Sequence, residues 1–152
     1  MNKISRIAYG CRIGNFLDHS DLTEIILDSC FNVMNDRGVG FLEAVYKNSL
    51  VVSLRRKNLF VETEKTYEIF YQNQRVGFYR ADIVVEESVT VEAKYCKELA
   101  SEHSDQLINY LKASGIKVGL LINFGKRKIQ FKRLCHPDYY PAAVGDPAYL
   151  DQ

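Results

Sequence analysis

From Asp21 the apolar residues recur at intervals of three and four: Leu22, Ile25, Ile26, Cys30, Val33 and Met34. Side chains so spaced share one face of an α-helix. Asp21 with Glu24 three residues later has the form of a helix N-cap with its capping box, and Gly38 and Gly40 interrupt the pattern. A second stripe, Leu42, Val45, Tyr46, Leu50 and Leu54, predicts a helix over about 42–57. The period then changes from helical to alternating. Residues 60–71 read as a strand, Gln72-Asn73-Gln74 as a turn, and 75–86 and 89–95 as two further strands joined across Glu87-Ser88, which together make an antiparallel meander. A third helix is predicted from Ser101 to Ala113, with Gly115 suited to the position beyond its C-terminus. The unbroken apolar run at 117–124 predicts a strand buried on both faces, and 129–134 one more strand. Strands bracketed by helices in this order predict an α/β (α+β) fold, a mixed central sheet flanked by helices. The predicted domain spans 21–135, between an N-terminal extension (1–20) without periodicity and an irregular C-terminal tail (136–152) rich in Pro, Tyr and Ala.

A chain of 152 residues is long enough for one domain with a real core. No apolar run approaches the roughly 20 residues of a membrane span, and the start, M-N-K-I-S-R-I, lacks the apolar stretch of a secretory signal. The expectation is a soluble, cytoplasmic protein with no membrane contact. Net charge is +1, so composition alone does not announce a nucleic-acid binder. Basic residues do cluster locally, at Arg55-Arg56-Lys57 and at Lys126, Arg127, Lys128, Lys132 and Arg133. The first cluster suits a helix C-terminus; the second follows a predicted strand and is placed to track a phosphate backbone. Cys11, Cys30, Cys96 and Cys135 form no C-x-x-C pair, so zinc and redox spacings are absent and free thiols are expected.

The chemistry concentrates in R-A-D-I-V-V-E-E-S-V-T-V-E-A-K, residues 80–94. On a strand Glu92 and Lys94 share a face, while Val89, Val91, Ala93 and Tyr95 line the other. The short turn brings the preceding strand alongside, which can set Asp82 near Glu92. Two carboxylates at one spot repel each other and are stabilised by a cation between them; oxygen ligands select a hard ion such as Mg2+ or Mn2+. Lys94 would then orient a water or neutralise charge on a phosphate. A plainer reading makes Glu92 and Lys94 a surface ion pair on the solvent face of an edge strand. On the third helix His103, Gln106 and Tyr110 fall on one polar stripe beside the apolar Leu107, Ile108 and Leu111. In G-F-L-E-A-V-Y, Glu43 suits either the positive end of the second helix or the role of a third carboxylate at the site.

Gly40-x-x-Glu43-x-x-Tyr46 resembles the signature of the GxxExxY proteins within the PD-(D/E)XK nuclease superfamily. The resemblance runs from about Asp21 to Leu134 and takes in Y-R-A-D-I-V-V, V-E-A-K, Q-L-I-N-Y-L-K and G-L-L-I-N-F-G. It implies a restriction-endonuclease-like αβββαβ core, Asp82 and Glu92 as metal ligands, Lys94 as catalytic, and Glu43 as the helix-borne acid near the metal. Gln106-x-x-x-Tyr110 is similar to the Q-x-x-x-Y motif of RecB-like nucleases, where it organises the site and engages DNA. Ala81 stands where the superfamily often has proline before its aspartate; Val39 and Met34 replace a frequent proline and histidine. The resemblance implies a Mg2+- or Mn2+-dependent nuclease acting on nucleic acid, DNA rather than RNA; the near-neutral charge adds the expectation of a protein partner or second copy that supplies affinity. The alternative on the same fold is a catalytically weak nucleic-acid-binding or protein-interaction module.

Overall fold

The computed structural model describes residues 12–13, 16–17 and 20–139. Two short strands, β1 (Arg12–Ile13) and β2 (Phe16–Leu17), pair antiparallel within the expected N-terminal extension. Helices α1 (Ser20–Arg37) and α2 (Glu43–Arg56) come next, followed by β3 (Val61–Tyr71), β4 (Gln74–Val85), β5 (Val89–Lys94), α3 (Ser101–Ser114), β6 (Val118–Asn123) and β7 (Gln130–Cys135). A 3-10 turn at Pro137–Tyr139 opens the tail expected to be irregular, most of which lies outside the described residues. Helix α1 starts at Ser20, so Asp21 lies in its first turn instead of capping it, where its charge still favours the helix dipole. Gly115 stops α3 as expected, in the left-handed conformation (φ 75°) with its N–H on the Leu111 carbonyl.

The five long strands form one sheet in the order β3-β4-β5-β6-β7. All pairs are antiparallel except β5 and β6, which are parallel and therefore need a crossover, supplied by α3. The two faces of the sheet serve two cores, and β4 switches face between Ala81 and Ile83, where the ladder gap at Asp82 interrupts its alternation. On one face Ile83, Val85, Val89, Val91, Ala93, Leu120 and Ile122 pack with Ile26, Cys30, Tyr46, Leu50 and Leu54 of α1 and α2. On the other, Tyr79, Ala81, Val84 and Leu121 pack with Leu107, Ile108 and Leu111 of α3. Burying each such aliphatic side chain contributes about 2 kcal/mol. Covered on both sides, β5 and β6 are buried along nearly their whole length, which accounts for the apolar run at 117–124.

The β3–β4 ladder is irregular at two places, a register shift between Ile69 and Phe70 and a gap beside Asp82. Between β3 and β4 the pairs run Thr63↔Ile83 and then Lys65↔Ala81, and the rung that would join Glu64 to Asp82 is missing. Glu64 there has φ 53°, a left-handed conformation uncommon for a residue with a side chain. Pairing between β4 and β5 also stops beside Asp82, at Ile83↔Val91. The β3–β4 hairpin thus parts from the rest of the sheet at Asp82, whose Oδ2 accepts the Ala93 N–H at 3.1 Å in place of a backbone carbonyl.

Among the described residues Cys30 and Cys96 are free thiols, as expected. Cys135 departs from that expectation and is disulfide-bonded; Cys11 lies outside the described residues. No helix among the described residues is long and apolar enough to cross a membrane.

Candidate active site

The strand β5 is the third of five, so the edge-strand reading of Glu92 and Lys94 fails. Glu92 points into the α3 side of the sheet and is only 6% exposed. Its Oε1 accepts a hydrogen bond of 2.5 Å from the Tyr79 hydroxyl, which lies 3.3 Å from the Thr90 hydroxyl. Burial, then the adjacent Asp82 carboxylate, push the Glu92 carboxyl up to about 8. Two acids side by side, one of them buried, repel each other, and that is the electrostatic setting a bound cation would relieve. Lys94, two residues on, is partly buried; its carbonyl accepts the Phe124 N–H at 2.9 Å, and its ammonium has no hydrogen-bond or ion-pair partner among the described residues.

The ring of Tyr79 is held in a stack between Tyr67 (centroids 5.8 Å apart) and Tyr110 (3.6 Å). Tyr110 thereby joins α3 to the carboxylates; burial first, then the negative charges of Glu92 and Asp82, raise its hydroxyl above the ordinary tyrosine range. Gln106 lies one turn earlier on α3 and is exposed. His103 leaves the predicted polar stripe, because its Nδ1 accepts the Ala100 N–H at 3.0 Å and so caps the helix.

Helix α2 reaches the site from the opposite face through Lys47. Its ammonium is bonded to Glu64 and lies 3.7 Å from Asp82 Oδ1. Burial opposes the charge, but the two carboxylates outweigh it and hold Lys47 above the ordinary lysine range. Glu43, one turn before Lys47, opens α2 and is exposed. Its placement rests on Tyr46. That hydroxyl donates to the Gly38 carbonyl at 2.5 Å and accepts the Phe41 N–H at 3.1 Å, while its ring stacks on Phe124 (5.2 Å) and Tyr95 (5.9 Å). The loop it holds passes through Gly38 and Gly40 at φ 70° and 107°, values that suit glycine. The G-x-x-E-x-x-Y spacing is thus, physically, a loop, a helix start and the aromatic peg that locks both.

The segment from β5 to α3 is held by Asn123. Its side chain accepts from Cys96 N (3.0 Å) and Gly125 N (2.9 Å) and donates to Cys96 O (2.9 Å) and to Gln130 Oε1 (3.2 Å). Gln130 in turn holds Leu99 N and Glu98, and Glu98 pairs with Lys126 at 2.6 Å. The second basic cluster is therefore not a phosphate track as a whole: Lys126 is ion-paired and Arg133 is buried. The first behaves as expected, with Arg55 and Arg56 in the last turn of α2.

Asp82, Glu92 and Tyr110 meet around the strand fork, Lys94 lies two residues beyond Glu92 on β5, and Glu43 and Gln106 stand on exposed helix positions. Among the described residues no three His, Cys, Asp or Glu side chains lie close enough together to hold a metal ion. Sequence reasoning missed Tyr79, Lys47 and Asn123. Lys47 is four residues after Glu43 and shares its stripe; Asn123 is a polar residue in an otherwise apolar strand and needs partners. Tyr79 left no local signal, since a tyrosine in a strand is ordinary.

A model of the PD-(D/E)XK nuclease superfamily matches residues 20–134, from the start of α1 into β7. The chain belongs to that superfamily. Its mixed sheet with flanking helices is the superfamily's core, and its fork of Asp82 with Glu92-Ala93-Lys94 falls inside the matched region. The solved structure described as "Crystal structure of SSO0001" is similar in fold, with a TM-score of 0.51 and 19% identity over 87% of this chain and 79% of that one. No curated protein matches the chain.

Proposed function

We propose that this protein is a divalent-metal-dependent nuclease of the GxxExxY type that hydrolyses phosphodiester bonds in nucleic acid, DNA in preference to RNA. The observation that carries this reading is the meeting of Asp82 and buried Glu92 at the fork, with Lys94 adjacent on the same strand. Asp82 and Glu92 are the residues to hold Mg2+ or Mn2+, with Glu43 as the helix-borne acid; Mg2+ is commonly held by one or two carboxylates, with water and substrate phosphate completing its shell. Once bound, such an ion supplies polarisation of the phosphate and a water of lowered pKa. Lys94 orients that water and neutralises charge developing on the phosphate. Tyr79 keeps Glu92 aimed, and Gln106 with Tyr110 engages the nucleic acid. The net charge of +1 favours an arrangement in which a protein partner or a second copy adds affinity, since dedicated nucleic-acid binders are usually more basic.

The test is incubation of the purified protein with single-stranded DNA, duplex DNA and RNA in Mg2+ or Mn2+. Cleavage of DNA is expected, abolished in Asp82→Asn and Lys94→Ala variants that keep the wild-type circular dichroism. Silence on all three substrates overturns the reading; full activity in both variants overturns the site.

A further inference from the structure

The rung missing between β3 and β4 leaves Glu64 and Asp82 opposite each other without a backbone pair, and Lys47 of α2 reaches both. The two oxygens of Asp82 differ in their tasks. Oδ2 accepts the Ala93 N–H, so Oδ1 is the oxygen left for a cation, and Oδ1 is the one that faces the Lys47 ammonium at 3.7 Å. That separation is an ion pair beyond hydrogen-bond length. The bonded partner of the ammonium is Glu64. Glu64 holds it from a left-handed backbone position, φ 53° within a strand, a conformation that persists only where surrounding structure imposes it. The Lys47 side chain is 18% exposed, so little water screens its charge.

We infer that Lys47 and Glu64 form a counter-ion pair that sets how tightly Asp82 binds a divalent cation, Glu64 drawing the ammonium aside so that Asp82 Oδ1 stays open. This rests on the metal site proposed above. Lys47 is then a tethered cation that steadies the acids while no metal is bound, and Glu64 is what stops it from closing the site. Both are positioning residues, acting through Asp82.

A simple field effect makes Lys47→Met tighten and Glu64→Gln weaken Mn2+ binding independently of each other. A tether makes the second effect depend on the first. The test is therefore a double-mutant cycle, with Mn2+ affinity read by calorimetry and by the resonance of free Mn2+ at constant pH and ionic strength. Lys47→Met is expected to bind Mn2+ about ten-fold more tightly than wild type, and Glu64→Gln about ten-fold more weakly. In the Lys47→Met background Glu64→Gln is expected to change affinity by less than about two-fold, because no ammonium remains to be released. An equal loss in both backgrounds, or no gain from Lys47→Met, overturns the inference while leaving the metal site in place. Wild-type protein that binds no Mn2+, or binds it unchanged in Asp82→Asn, overturns the site itself. If Lys47→Met melts below the assay temperature, Lys47→Gln carries the same cycle.

Discussion

Glu92 is held at about 8 in the fold against 4.5 for an ordinary glutamate, through burial first and the Asp82 charge second. The native protein therefore keeps this proton at pH values where the unfolded chain has lost it. Without metal, the contribution of Glu92 to stability falls as pH rises from about 4.5 to about 8 and is level above that. Glu92→Gln removes this dependence. Urea melts of metal-free protein should show the variant matching wild type near pH 5 and exceeding it at pH 8 by on the order of a few kcal/mol; a wild-type advantage at pH 8 would contradict the assigned environment. Tyr79→Phe isolates a different contribution at the same spot. The ring stack with Tyr67 and Tyr110 survives, and the hydroxyl's contacts with Glu92 and, more weakly, Thr90 go. Partners of metal-ligating carboxylates typically matter by about 10- to 100-fold in metal affinity, so Mn2+ calorimetry should show a loss of that order at nearly unchanged melting temperature.

The elements around the site are locked by a few polar or glycine positions. A Cβ on Gly125 would fall 2.4 Å from the Cys96 carbonyl oxygen and 2.6 Å from its nitrogen. Both are backbone atoms of the segment that leads from β5 into α3, so no rotamer change relieves the clash. Gly125→Ala should cost about 2 kcal/mol or more and displace the segment that follows Lys94. Denaturant melts check the first, and raised amide exchange at Cys96, whose N–H is held by Asn123, checks the second. Helix α2 depends in the same way on Tyr46, which ties the Gly38–Phe41 loop to its own first turn. The extended β3–β4 hairpin contributes by what it omits: by parting from β5 at Asp82, it lets the Asp82 carboxylate take the Ala93 N–H in place of a backbone carbonyl.

At the level of the whole molecule, residues from α2, β4, β5 and α3 meet only because the sheet order places β5 at its centre and sends α3 across one face. A ligand that binds this arrangement and not the unfolded chain stabilises it in proportion to occupancy. Mn2+ at about a hundred times its dissociation constant should raise stability by about 2.7 kcal/mol, seen as a higher melting temperature. Asp82→Asn should lose most of that gain, and an undiminished shift would move the metal elsewhere.

The sequence by itself determined the elements and their class. Period 3.6 in α1 and α2, alternation in the meander and the unbroken run of β6 follow from which faces must be buried, and burial is written in side-chain type. It also singled out Asp82, Glu92, Lys94 and Tyr110 as candidates, through motifs that resemble those of the superfamily. The tertiary structure alone decided that Glu92 is buried and not on a surface edge, since strand order is set by long-range pairing. It alone decided that Tyr79 holds Glu92 and that Lys47 and Glu64 flank Asp82. Those contacts join residues from separate elements, across a rung the sheet leaves unpaired, and no local period encodes which side chains will meet there.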